Sequence, residues 1–328
     1  LGDNPAVDAG VVGDLLERRL DGAALGGGEI GILLALTEDI DESVTGRYLF
    51  GPGIELDPTR RDTFVGSTPQ ELASIAGDET SYVFTTKEVA LTGLPRFDRM
   101  LEIGKRFGPD QRDLLLVAPT WRNNLLPPII DGTQRRELDL GLLDSYFVKQ
   151  WMAYLRDERL AEACREHGLT LGFLPHPNLQ PLLPHPDLPA HVMPLSYEGQ
   201  DPQELFARAR AFVTDFSSVA FNAAYLERPV VYYQFDADLV LGGGHVGRAG
   251  YYDYERDGFG PVAEDAEAAV TATVEALAHG SAPAPMYQAR IDATFPLRDG
   301  GNCARVVERV RFTDTDQSHL PAVPTPRP

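Results

Sequence analysis

Short apolar runs and amphipathic stretches alternate along most of this chain. Strand-like runs fall at Glu29–Leu36, Arg47–Phe50, Thr63–Gly66, Glu88–Thr92, Asp113–Ala118, Leu169–Leu174, His191–Leu195, Ala211–Thr214 and Pro229–Tyr233. The helical period predicts helices at Pro69–Ala76, Arg96–Lys105, Leu143–Arg156, Arg159–Glu166, Pro202–Arg210, Ser217–Leu226, Ala266–Ala278 and Asn302–Val310. This alternation predicts an α/β fold with parallel sheets and crossover helices. Gly108-Pro109-Asp110 breaks the pattern and marks a hinge near Phe107–Arg112. The expected division is an amino-terminal lobe over 1–108, a carboxyl-terminal lobe over 109–312 and a Pro-rich tail over 313–328. Asn123–Leu140 is polar and irregular, which predicts a long loop over a cleft.

In open α/β sheets, ligands bind outside the carboxyl ends of the strands. After Asp113–Ala118 comes Pro119-Thr120-Trp121-Arg122; after Leu169–Leu174 comes Pro175-His176-Pro177-Asn178; after Ala211–Val213 comes Thr214-Asp215-Phe216-Ser217-Ser218. Successive strands thus deliver a hydroxyl with an arginine, a histidine with an amide, and a pair of hydroxyls. Such groups can grip a diphosphate. Each has a plainer reading. Ser217 and Ser218 open a helix and could be an ordinary N-cap as well as an anion site. A His-Pro pair is commonly a turn, as His185-Pro186 illustrates, but His176 directly follows an apolar strand and suits proton exchange near neutral pH. Arg122 could be a surface arginine; its place just past a buried strand favours phosphate contact through a planar donor fork. Asp236 could hold a ribose or loop amides, or cap a strand end.

Composition narrows the classes. The 328 residues suffice for two domains, and the 43% hydrophobic content is ordinary for a soluble protein. No apolar run approaches the ~20 residues that span a bilayer. Leu1 is not a start methionine, which suggests a fragment or a processed chain. A net charge of −20 argues against nucleic acid as a partner and against electrostatic docking on anionic lipid. Cys164 and Cys303 fit no metal or redox spacing and read as reduced thiols of a cytosolic protein. Gly242-Gly243-Gly244-His245 lacks the following Lys-Ser or Lys-Thr of a P-loop and reads better as a mobile lid carrying His245 and Arg248. Gly26-Gly27-Gly28 precedes its strand, on the wrong side for a dinucleotide fingerprint.

With these residues in view, the chain resembles the CDP-glycerol glycerophosphotransferases, the family of teichoic-acid and capsule polymerases. The matching stretches are Ala73–Met100, Leu114–Asn123, Leu171–Pro181, Val213–Asp236 and Gly242–Val262. The resemblance implies a GT-B-like fold of two Rossmann-like lobes with an interlobe cleft and the nucleotide held mainly by the carboxyl-terminal lobe. It implies that His176 is the catalytic candidate and lies with Ser217 and Ser218 on the donor diphosphate. Thr120, Arg122, Thr214, Asp215 and Asp236 complete the expected donor- and phosphate-binding set. The implied reaction moves a polyol phosphate from CDP-glycerol or CDP-ribitol to a hydroxyl of a polyol-phosphate or glycan acceptor and releases CMP. It needs no cofactor beyond that substrate and no dedicated metal site. The expected location is the cytoplasm, at the cytoplasmic face of the membrane, with membrane contact through regions outside this chain.

One departure stands out. The family's acceptor-activating base is a histidine in a His-Gly pair; the corresponding stretch here is Tyr48–Ile54, with Pro52 at the histidine's place, and no histidine precedes His167. Proline cannot accept a proton. A binding module that has lost turnover is therefore the alternative, with Glu55 or Asp57 as replacement bases if turnover persists. A nucleotide-sugar glycosyltransferase or epimerase of the same architecture is disfavoured by the serine pair and by the Gly242–Val262 stretch.

Overall fold

Leu114–Val117 are four consecutive aliphatic residues, all buried, and they form a central strand. A strand that is apolar at every position needs cover on both faces, as parallel sheets provide. The computed structural model describes residues 32–34, 63–77, 86–87, 89–122, 125, 140–182, 187–241 and 251–316. In chain order its elements are β1 (Ile32–Leu34), β2 (Thr63–Gly66), α1 (Pro69–Ala76), β3 (Val89–Leu91), α2 (Arg96–Gly104), β4 (Leu114–Val117), α3 (Tyr146–Leu155), α4 (Glu158–Glu166), β5 (Thr170–Phe173) and β6 (Val192–Pro194). There follow α5 (Pro202–Arg208), β7 (Ala209–Thr214), α6 (Ala220–Tyr225), β8 (Val230–Tyr233), the short α7 (Ala237–Leu239), α8 (Tyr254–Asp257), β9 (Val262–Ala263), α9 (Ala266–Ala278), α10 (Pro285–Thr294) and α11 (Asn302–Asp316).

The chain divides into two units. The first contains a parallel sheet in the order β1-β2-β3, with Leu33 paired to Phe64 and Val65 to Ala90. The division falls after Arg99, within α2, rather than at the Gly108 hinge. From Thr294 onward the chain belongs to this first unit, which corrects the assignment of 109–312 to one lobe. Specific contacts explain the return. Asp98 accepts hydrogen bonds from the backbone N–H groups of Asn302 (3.0 Å) and Cys303 (2.7 Å), capping α11. Arg305 Nε donates to the Thr92 carbonyl at 2.8 Å, and Phe97 meets Phe295 edge to face at 6.0 Å. Gly93, at φ +73°, makes room, since a Cβ there would lie 2.1 Å from Asn302 Oδ1. Helix α11 runs to Asp316, so 313–316 are helix and not tail.

The second unit holds a six-stranded parallel sheet in the order β6-β5-β4-β7-β8-β9. Alternate residues face opposite layers. Leu115, Val117, Ala211, Val213, Val231 and Tyr233 join the cluster that includes Trp151 and Tyr154 of α3 and Val270 and Leu277 of α9. Helices α5 and α6 pack against β4, β7 and β8. Pro194 and the exposed Met193 sit in β6, an edge strand, where a missing donor is tolerated. From β4 the chain builds outward to β6, then returns to place β7 on the other side of β4. The gap between the carboxyl ends of β4 and β7 is therefore the topological switch point of this sheet.

Four elements are absent from the sequence-based expectations: the short helices α7 and α8, strand β9 and helix α10. Strand β9 has only two residues, and α10 buries few side chains, Ile291 most fully, so neither shows a period. The expected helix from Ser217 begins as α helix at Ala220, after tighter turns in which the N–H groups of Ala220 and Phe221 bond the carbonyls of Ser217 and Ser218. Arg47–Phe50, Gly26–Gly28, Pro52, Glu55, Asp57, His185, most of the 123–140 loop, the 242–250 lid and the tail beyond 316 lie outside the described residues.

Candidate active site

The polar turns after β4, β5, β7 and β8 are stitched together at the switch point. The Ala118 N–H donates to the Val213 carbonyl at 2.9 Å, Leu174 N–H to Val117 at 2.8 Å, and His176 N–H to Pro119 at 3.3 Å. Asp215, wholly buried, accepts from the Thr120 N–H at 2.8 Å through Oδ1. Its carbonyl accepts from Gln234 Nε2 at 3.0 Å. These bonds fix where the candidate groups stand and remove their backbones from competition for water.

Arg122 is 1% exposed, and its guanidinium is engaged on every edge. Nε and Nη2 bind Asp236 Oδ2 and Oδ1 at 2.8 and 2.9 Å, a bidentate pair. Nη2 also lies 2.8 Å from Asp215 Oδ2, an ion pair without hydrogen-bond alignment. Nη1 donates to the carbonyls of Thr120 (3.1 Å) and Trp121 (3.4 Å). The rings of Phe147 and Phe216 lie 4.9 and 5.2 Å from Cζ. Burial alone would lower the affinity of Arg122 for its proton, but the Asp215 and Asp236 carboxylates outweigh it and raise the value above the ordinary arginine range. The donor fork expected to meet phosphate therefore holds two carboxylates and two carbonyls of the protein.

Thr214 also departs from the expectation of phosphate contact. It is wholly buried, and its hydroxyl donates to the Ala118 carbonyl at 2.7 Å, pinning β7 to the turn after β4. Asp236 faces Arg122 with both oxygens. Groups more open to a ligand remain. His176 is half-buried, with its ring 5.8 Å from that of Trp121. Ser217 and Ser218 are half-buried; the Ser217 hydroxyl accepts from the Val219 N–H at 3.3 Å, and the Ser218 hydroxyl has no hydrogen-bond partner among the described residues. Thr120 Oγ1 is buried without a hydrogen-bond partner among the described residues. An unmade hydrogen bond in a buried place costs about 1–3 kcal/mol, so this hydroxyl has capacity for a further hydrogen bond. The sequence reading missed Trp121 as the neighbour of His176 and Gln234 as the anchor of Asp215. A polar residue directly after the apolar run Val230–Tyr233 was the available signal for the second.

In the first unit, the turn after β2 is closed by Glu71. Its Oε2 accepts from the Ser67 N–H (2.6 Å) and Oγ (2.9 Å), while Thr68 Oγ1 accepts from the Glu71 N–H at 3.0 Å, a variant of the capping box. Burial pushes this carboxyl above the ordinary 4.5, against the pull of the Ser67 hydrogen bonds. Both cysteines are free and buried, and burial pushes each thiol up to about 11, as suits structural groups. Among the described residues no group of three His, Cys, Asp or Glu side chains could hold a metal ion, and no helix is long and apolar enough to cross a membrane.

Residues 47–311 match the family model of the CDP-glycerol:poly(glycerophosphate) glycerophosphotransferases. The chain belongs to this family. It is 29% identical over 253 residues to the minor teichoic acid biosynthesis protein GgaB of Bacillus subtilis strain 168, covering 77% of this chain and 26% of that protein. It is 25% identical over 238 residues to a teichoic acid glycerol-phosphate transferase of Staphylococcus aureus, covering 67% of this chain and 52% of that one. The structure of the wall teichoic acid polymerase TagF aligns with a TM-score of 0.51 at 19% identity, over 79% of this chain and 59% of that chain. The fold of this glycerophosphotransferase-family chain is thus GT-B-like. It spans about a quarter and a half of the lengths of the two curated relatives.

Proposed function

We propose that this chain transfers glycerol phosphate from CDP-glycerol to a hydroxyl of a teichoic-acid- or capsule-like polymer and releases CMP. What supports the reading is that His176, the Thr120 hydroxyl and the pair Ser217 and Ser218 lie on the turns that follow the neighbouring strands β5, β4 and β7 of the second sheet, in a chain of this family. In the reaction, the acceptor oxygen attacks the β-phosphorus in line, a new O–P bond forms, and the bond from that phosphorus to the bridging oxygen breaks. The bridging oxygen leaves with CMP, and the acceptor's proton passes to a base. His176 and the two serines would hold the diphosphate oxygens, and positioning with charge stabilisation would supply most of the rate. The relatives' names favour glycerol over ribitol as the polyol. Location at the cytoplasmic face of a membrane, where a growing polymer would be met, remains part of this proposal.

One observation favours a second reading, a donor-binding module with impaired turnover: Pro52 stands where the family resemblance places a histidine. Loss of a general base costs about 10²–10⁴-fold in rate. The test is CMP release from CDP-glycerol and CDP-ribitol, with and without a polyol-phosphate acceptor, by the parent chain and Pro52→His. Acceptor-dependent release that rises sharply in Pro52→His supports the transferase with a missing base. Brisk release lost in Glu55→Gln or Asp57→Asn supports a relocated base. Nucleotide binding without CMP release in either chain establishes the binding module.

A further inference from the structure

The donor site just described would sit on turns that have no regular structure of their own, so something must hold them. Arg122 does not present itself to a ligand. Its donors all have protein acceptors, and its Cζ lies over the rings of Phe147 and Phe216. With Asp215 and Asp236 it forms a cluster of one cation and two anions, a net negative charge that suits a diphosphate poorly. Each member instead reaches a different turn. Arg122 fixes the carbonyls of Thr120 and Trp121, and the Trp121 ring is the neighbour of His176. Asp215 fixes the Thr120 N–H and leads into the Ser217-Ser218 turn. Asp236 anchors the segment that follows β8.

From this geometry we infer that Asp236 and Arg122 are positioning residues, a clamp that sets Thr120, Trp121 with His176, and the serine turn in register without touching the donor. The inference rests on the donor-site reading above and departs from a ribose-binding role for Asp236. Asp236→Asn is the informative variant, because it leaves Arg122 and Asp215 as a neutral buried pair and strands no charge. Arg122→Lys keeps the charge and loses the fork.

The experiment combines kinetics on CDP-glycerol, calorimetry with CMP, and hydrogen exchange of the Thr120 amide. In both variants, CMP affinity should stay within about threefold of the parent, while kcat falls about 10- to 100-fold, as expected of misplaced reacting groups. The double variant should lose no more than the worse single one, since both act through the same clamp. Thr120 should exchange at least about tenfold faster in Asp236→Asn, with the slowest core amides unchanged. Loss of CMP affinity with kcat retained would overturn the inference and make Asp236 a donor ligand. Unchanged kcat in an active parent, or unchanged Thr120 exchange, would overturn it too. Absence of CMP release by both the parent and Pro52→His would refute the transferase reading, while CMP affinity and Thr120 exchange would still decide for or against the clamp.

Discussion

After β2 the chain turns into α1 through Ser67 and Thr68, and a buried carboxylate, Glu71, closes the turn with neutral donors only. After β7 it turns through Asp215, Phe216, Ser217 and Ser218, and there the buried carboxylate faces a buried guanidinium that also serves the turns after β4 and β8. The first arrangement is local in its hydrogen bonds, which all lie within four residues, and the more distant Arg96 adds only a coulombic pull on the carboxylate. Its carboxyl pays for burial with a raised proton affinity. The second spans 114 positions of sequence and keeps the serine hydroxyls at its rim half-exposed. A local cap stabilises one helix, whereas a long-range charged clamp fixes several turns at once, as a ligand site at a switch point requires.

The largest effect is expected at Arg122. Replacing it with alanine strands two carboxylates in the core, and the unfolding free energy from urea titration should fall by about 3–5 kcal/mol. A loss below about 1 kcal/mol would mean that the clamp is not under tension of charge. The rim groups should behave differently. Ser218→Ala and His176→Ala should each weaken CMP or CDP-glycerol binding by about 1.5–3 kcal/mol, read by calorimetry, with little change in stability. Unchanged affinity in both would remove these residues from the site.

The smallest effect belongs to Glu71. Its proton affinity is raised on folding, so from pH 4.5 upward the unfolded chain loses this proton first. Its contribution to stability is therefore present below 4.5 and is lost as pH rises through the raised folded value. The stability of the parent relative to Glu71→Gln should fall over that window and then level off. A relative stability that climbs with pH would show that Ser67 stabilises the carboxylate more than burial penalises it.

Much of this was legible in sequence because the second sheet's strands are short and apolar throughout. The run Asp113–Ala118 became β4 at Leu114–Val117, and Pro229–Tyr233 became β8 at Val230–Tyr233. Strand ends then located Thr120, Arg122, His176, Asp215 and the serine pair on the turns after β4, β5 and β7, which are neighbours in the sheet. Their individual roles were less legible. That Arg122 meets Asp236 depends on the order of strands, and that Thr214 meets Ala118 depends on the register of β4 with β7, neither of which is a local property. The return of α11 to the first unit rests on Asp98, some 200 residues before the amides it caps, and no periodicity announces it. Pro52 remains a statement about sequence.

As proposed above, the groups at the switch point bind and activate a CDP-polyol. The most direct test is CMP release from CDP-glycerol by the purified chain in the presence of a polyol-phosphate acceptor. Release should depend on the acceptor, be slow in the parent and fall further in His176→Ala and Ser218→Ala. No release by the parent or by Pro52→His, or release indifferent to both site substitutions, would contradict that proposal.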